Sequence, residues 1–141
     1  MNSLILKNLE KGESASQITF KVEEVEYDRA VGVSVSILVK NFNTQTQLYG
    51  YWIEGSNIEV FLDNLEAKIY PAVLQTNELY LTIQKSDYSE NMAVGFWAKQ
   101  AIGNKIRTFP FSISLSFEVS NGTLNQFIKS LEKLKKRIIF Y

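Results

Sequence analysis

Histidine and cysteine are both absent from this chain of 141 residues. Without them no Ser-His-Asp or Cys-His nucleophile can form, no thiolate or imidazole zinc site, no disulfide and no histidine pH switch. Proline occurs twice and glycine seven times, and the glycines are scattered singly, which excludes a Gly-rich phosphate loop. No apolar run approaches the ~20 residues of a membrane-spanning helix. The start, Met1-Asn2-Ser3-Leu4-Ile5-Leu6-Lys7-Asn8, lacks the longer apolar stretch of a secretory signal. The expected setting is cytoplasmic, away from membranes.

What is present is ordinary in amount. Apolar residues make 45% of the chain and charged residues 21%, close to the globular average, so neither disorder nor a coiled coil is indicated. A chain of this length is expected to form one domain over residues 1–141, whose core buries about two-thirds of the unfolded surface. The 13% aromatic content suggests a core of large residues. Net charge is zero but unevenly laid out: residues 1–70 hold 6 basic and 10 acidic groups, and residues 71–141 hold 9 basic and 5 acidic. The basic excess sits in Lys129, Lys133, Lys135, Lys136 and Arg137, offset by Glu132. A solvated helix face accounts for that run, since Lys and Arg favour the negative end of a helix. A whole-chain charge of zero argues against a dedicated nucleic-acid binder.

Alternation of period two dominates from residue 17 onward and is broken twice by period 3.6. Ile18, Phe20 and Val22 share one parity and Val25 and Tyr27 the other, which predicts a β-bulge around Glu23-Glu24. Val31, Val33, Val35, Ile37 and Val39 alternate with Gly32, Ser34, Ser36, Leu38 and Lys40 as a half-buried strand. Asn41-Phe42-Asn43-Thr44 reads as a hairpin loop. The strand after it, Gln47 to Ile53, is apolar on both faces and is therefore expected to be central. Ile58, Phe61, Leu62 and Leu65 form a short amphipathic stripe, with Ser56 or Asn57 as cap and Pro71 closing the segment. Strands resume at Leu79-Leu81-Ile83 and at Met92-Val94-Phe96-Ala98, joined by a turn over residues 86–91. After a turn at Ile102-Gly103-Asn104-Lys105 a last strand runs from Phe109 to Val119, with Pro110 marking an edge or bend. Leu124, Phe127, Ile128, Leu131, Leu134 and Ile138 form a second stripe, for which Thr123 and Ser120 compete as cap. There is no sequence repeat, low-complexity tract or linker. The expected fold class is α+β: a curved, mainly antiparallel sheet of about 7–8 strands with two helices, in the order β-β-β-α-β-β-β-β-α.

With imidazole and thiol excluded, catalysis would fall to carboxylates such as Glu54, Glu59, Asp87 or Glu90. These lie in turns or on a polar helix face, where charge is expected anyway, and no residue is assigned a catalytic role. No Asp-x-Asp-x-Asp-Gly calcium loop is present, so neither a metal nor another cofactor is expected. Asn121-Gly122-Thr123 matches a glycosylation acceptor but equally suits a turn before a helix. Two groups remain as binding candidates. Glu23, Glu24, Glu26 and Asp28 are the densest like-charge run, either a charged edge that deters strand pairing or a contact surface for a basic partner. Tyr49, Tyr51, Tyr80 and Trp97 lie opposite in parity to the clearest core residues of their strands, either a second layer under a helix or the lining of a small-ligand pocket.

The order of elements resembles the WapI-like immunity proteins, small bacterial antidotes encoded beside polymorphic toxins. The stretch Gly50-Tyr51-Trp52-Ile53-Glu54-Gly55-Ser56-Asn57-Ile58-Glu59-Val60-Phe61-Leu62-Asp63-Asn64-Leu65 is similar to that family's aromatic strand end running into a short helix. Phe117-Glu118-Val119-Ser120, followed by Leu124, Phe127 and Leu131, looks like its final strand, capping serine and terminal helix. Leu79 to Phe117 follows the hairpin pattern between them, so the resemblance spans about residues 17–137. It implies a non-enzymatic protein that binds a cognate toxin and blocks it. Toxin contact residues vary between members, so none is carried over by position. Antidotes to nucleases are often acidic, whereas this chain is neutral overall with an acidic first half. The alternative reading is a small-ligand-binding protein that uses the aromatic sheet face.

Overall fold

The computed structural model describes residues 3–7, 16–27, 30–42, 44–103 and 108–139. Its elements are β1 (Ser3–Lys7), β2 (Ser16–Glu26), β3 (Gly32–Asn41), β4 (Thr44–Glu54), α1 (Gly55–Glu66), β5 (Ala72–Gln75), β6 (Leu79–Lys85), β7 (Met92–Gly103), β8 (Thr108–Val119) and α2 (Asn121–Ile139). The fold is α+β with antiparallel strands and two helices, as expected. The strands divide into two four-stranded sheets, ordered β1-β2-β3-β4 and β5-β6-β7-β8, and α1 carries the chain from one to the other. The order ββββα thus occurs twice although no sequence repeat accompanies it. Strand β1, of five residues, is too short to show a period and is missing from the expected order, whereas the four strands expected between the helices are present, with the four-residue β5 among them. No helix among the described residues is long and apolar enough to cross a membrane.

Each sheet turns its alternating apolar residues inward. Val33, Val35, Ile37 and Val39 of β3 are buried, as are Leu79, Leu81 and Ile83 of β6 and Met92, Val94, Phe96 and Ala98 of β7. Val31 breaks the expected alternation. It precedes the strand and is 47% exposed, while its carbonyl accepts the Gly55 N–H at 2.9 Å. Phe20 of the first sheet meets Phe96 of the second edge to face, with ring centroids 6.1 Å apart. The two helices meet through Phe61 and Phe127, 6.3 Å apart in the same geometry. The sheets and helices therefore enclose one hydrophobic core.

Both helices bury the predicted stripes: Ile58, Phe61, Leu62 and Leu65 in α1, and Leu124, Phe127, Leu131, Leu134 and Ile138 in α2, with Ile128 partly buried. Ser120 wins the competition to cap α2, its hydroxyl accepting the Thr123 N–H at 3.1 Å. The cap expected for α1 is different. Strand β4 runs straight into the helix, Glu54 occupies the N-cap position with extended backbone, and no side chain caps it. Asn57 donates instead to the Gln75 carbonyl at 3.3 Å. Gly55 suits this junction because a Cβ there would stand 3.1 Å from Ile138 and 3.2 Å from Val31. The helix ends before Pro71, with Lys68 in the left-handed region (φ 57°) after it. The basic side chains of α2 lie away from its stripe, and Lys135 pairs with Asp63 of α1 at 3.6 Å.

Candidate functional site

Two bulges shape the first sheet, and both fall beside the middle of β3. On β2 the register shifts between Val22 and Glu24, where the parity switch predicts it, leaving Glu23 unpaired. The Ser36 hydroxyl donates to the Glu23 carboxylate at 2.7 Å. On β4 the shift lies opposite Val35–Ile37, so that Tyr49 and Gly50 together face Ser36. Gly50 adopts φ 79°, which glycine accepts without the penalty a Cβ would impose.

The second bulge corrects two expectations. It turns the strand over, so Leu48, Tyr51 and Ile53 all point inward although Leu48 and Tyr51 differ in parity. The pattern read as apolar on both faces is thus one apolar face, and β4 is an edge strand, not a central one. Tyr49 and Tyr51 also part company, at 62% and 3% exposed. The Tyr51 hydroxyl crosses to the second sheet and donates to the Lys99 carbonyl at 3.0 Å. Burial, and then the charge of Glu78, push its phenol above the ordinary tyrosine value.

The aromatic candidates therefore do not make one face. Tyr80 and Trp97 stand directly opposite each other on the second sheet, while Tyr49 and Tyr51 belong to the first. A groove of about 410 Å³ is lined by Gly50, Tyr51, Trp52, Glu54, Asn57 and the β5–β6 turn from Gln75 to Glu78. Tyr51 is the single member of the aromatic set that reaches it.

The acidic candidates gain neighbours that the sequence conceals. Glu24 pairs with Ser34, and Ser34 in turn with Trp52; Glu26 pairs with Gly32, and Gly32 with Glu54. Two rows across the outer face thus set Glu24 and Glu26 roughly 10 Å from Trp52 and Glu54, two strand spacings away. Small residues stand between them. The indole of Trp52 lies over Gly32: a Cβ built there would be 2.6 Å from its Cζ2 atom and 2.5 Å from the Ile53 carbonyl oxygen. Glu23, Glu24, Glu26 and Glu54 are exposed. Asp28 lies outside the described residues. β1 pairs with residues 17–21 only among the described residues, so the acidic end of β2 extends past its partner. Trp52 and Glu78 were not singled out as site residues by sequence reasoning, and Glu54 was considered only as a catalytic carboxylate; Gly50 within an apolar strand is the signal that would have found the bulge.

Because Gly32 seats the indole, Gly32→Ala is expected to lower stability by about 2 kcal/mol through overpacking against both ring and backbone. Urea unfolding of the two proteins measures this, and equal midpoints would mean that the ring moves aside without cost.

The acids considered for catalysis sit on separate elements, Glu54 and Glu59 around the start of α1, Asp87 and Glu90 in the β6–β7 turn. No three acidic groups among the described residues gather closely enough to hold a metal ion. That turn instead has a structural anchor. Glu118 of β8 accepts hydrogen bonds from Ser86 at 2.7 Å and Ser89 at 2.8 Å, and these bonds hold its carboxyl below the ordinary glutamate value. With the folded value the lower one, the stabilisation is fully present above the unfolded value of about 4.3 and disappears as pH falls through the folded one. A carbon-13 titration of the Glu118 carboxyl is expected to move upward in a Ser86→Ala/Ser89→Ala variant; an unmoved midpoint would contradict the anchor.

The chain matches no protein-family model, no curated protein and no solved structure. The site consists of an indole on a strand, carboxylates on the same outer face, and a groove that Trp52 helps to line.

Proposed function

We propose that this protein is a non-enzymatic binding protein, an immunity protein that neutralises a cognate bacterial toxin by docking on it and blocking its active site. The observation that supports this reading is the pair of rows on the outer face of the first sheet, which gathers Glu24, Glu26, Trp52 and Glu54 from two strands into one patch. A half-buried tryptophan ringed by charge has the composition of an interface hot spot, in which one aromatic carries much of the affinity and its surroundings exclude water. Strands hold it in place before the partner arrives, so little ordering entropy is lost on association. The carboxylates attract a basic surface and raise the encounter rate, with an effect that salt weakens.

A net charge of zero does not oppose this. The steering field is local, and the patch lies in the half of the chain that carries the acidic excess. A toxin with a basic active-site surface, as enzymes acting on nucleic acid require, is the partner chemistry that such a face complements. The test is co-expression with the product of the adjacent upstream gene. Cells are expected to die with that product alone and to survive when this protein is made beside it. A product that is harmless alone, or still lethal in company, removes the antidote reading.

A further inference from the structure

The groove beside Trp52 has a chemistry of its own. Its lining includes Glu54 at the end of β4 and Glu78 in the β5–β6 turn, together with Tyr51 and Trp52; the Trp52 indole borders it from over Gly32, and the Tyr51 hydroxyl is already held by the Lys99 carbonyl. No cation lines it, and neither carboxylate has an ion-pair partner among the described residues. The Asn57 amide and the backbone of Gln75 add a polar end, already joined to each other. At about 410 Å³ it falls within the range of volumes that hold small ligands. An aromatic surface next to two uncompensated carboxylates favours a flat organic cation, which stacks on the ring while its N–H groups donate to the acids.

We propose that this groove receives an arginine side chain projected by the protein partner, its guanidinium lying against Trp52 between Glu54 and Glu78. The inference rests on the partner-binding reading above and deepens it by naming the group that enters. Arginine fits better than lysine because its planar fork both stacks and donates to two acceptors, whereas an ammonium is a more strongly hydrated point charge. The surrounding acids Glu24 and Glu26 then act as a rim that guides the basic loop, while the groove fixes its position.

The probe is L-argininamide, with L-citrullinamide as the uncharged analogue of the same shape, followed by nitrogen-15 spectra of the whole chain. The two tryptophans give two indole N–H signals. The Trp52 indole and the Asn57 side-chain amide are expected to shift saturably with argininamide, while the Trp97 indole stays still. Citrullinamide is expected to bind at least about tenfold more weakly, and Glu54→Gln/Glu78→Gln to weaken argininamide by a similar factor. Circular dichroism of the double variant checks that it is folded, and Glu78→Gln alone provides a milder version. Equal titrations by the two amides, an unchanged affinity in the folded double variant, or no shift of the Trp52 indole would each overturn the proposal. A protein that still protects cells from the toxin yet ignores argininamide would sink the arginine seat and leave the antidote reading intact. Binding of argininamide without protection would do the reverse.

Discussion

Replacing Phe127 with alanine is expected to lower the free energy of unfolding by about 3–5 kcal/mol, a large fraction of the 5–15 kcal/mol typical of a domain. Phe127 is fully buried and is the ring through which α2 meets α1. It also borders a small apolar void lined by Leu4 and Phe20 of the first sheet, Leu74 and Leu81 of the second, and Leu131 and Leu134 of its own helix. Removing the ring enlarges a gap walled by residues from separate layers. Those walls are anchored in strands and collapse poorly, so the cavity penalty adds to the lost burial. Urea denaturation gives the difference, and the neighbouring, partly buried Ile128→Ala is the control, with a smaller loss expected. A deficit below about 1.5 kcal/mol for Phe127→Ala would mean that the helices do not seal the core in the way their contact implies.

Under the antidote function proposed above, Trp52→Ala is expected to weaken binding to the partner toxin by about a hundredfold or more, the range of a hot-spot truncation, and to abolish protection in the co-expression assay. The indole stands on the outer face of the first sheet, so its removal leaves the core intact, and the loss of stability is expected to be smaller than for Phe127→Ala. Calorimetric titration with the toxin domain separates the two effects. Trp97→Ala supplies the comparison: it lies on the second sheet opposite Tyr80 and is expected to leave affinity unchanged. A Trp52→Ala protein that binds and protects like the original would remove the patch from the interface.

Much of the fold is written in short-range patterns. The bulge at Glu23 follows from a visible change of parity between Val22 and Val25, and the two helices follow from their 3.6 period and from the seryl cap at Ser120. What escaped had a physical reason in each case. A bulge at Tyr49-Gly50 is invisible to a parity count because glycine has no side chain to place on either face. The count then runs on through it and assigns Tyr51 to the wrong side and β4 to the wrong position in its sheet. The division into two sheets is fixed by which edges stay unpaired, a long-range property no local window carries. The acidic run on β2 was legible as charge, but its aromatic neighbour was not. Glu24 and Trp52 are brought together only when Ser34 pairs with both. Glu78 joins Trp52 at one groove only after α1 has carried the chain to the second sheet.

The doubled ββββα order bears on how the chain reaches this state. In both sheets each strand lies next to its neighbour in sequence, so the pairings within a sheet close small loops at little entropic cost. The contacts that join the sheets are of the opposite kind, Phe20 with Phe96 among them, and they carry the larger closure cost. The single core shared by both halves therefore depends on the most distant contacts in the chain, and neither half buries its apolar face without the other.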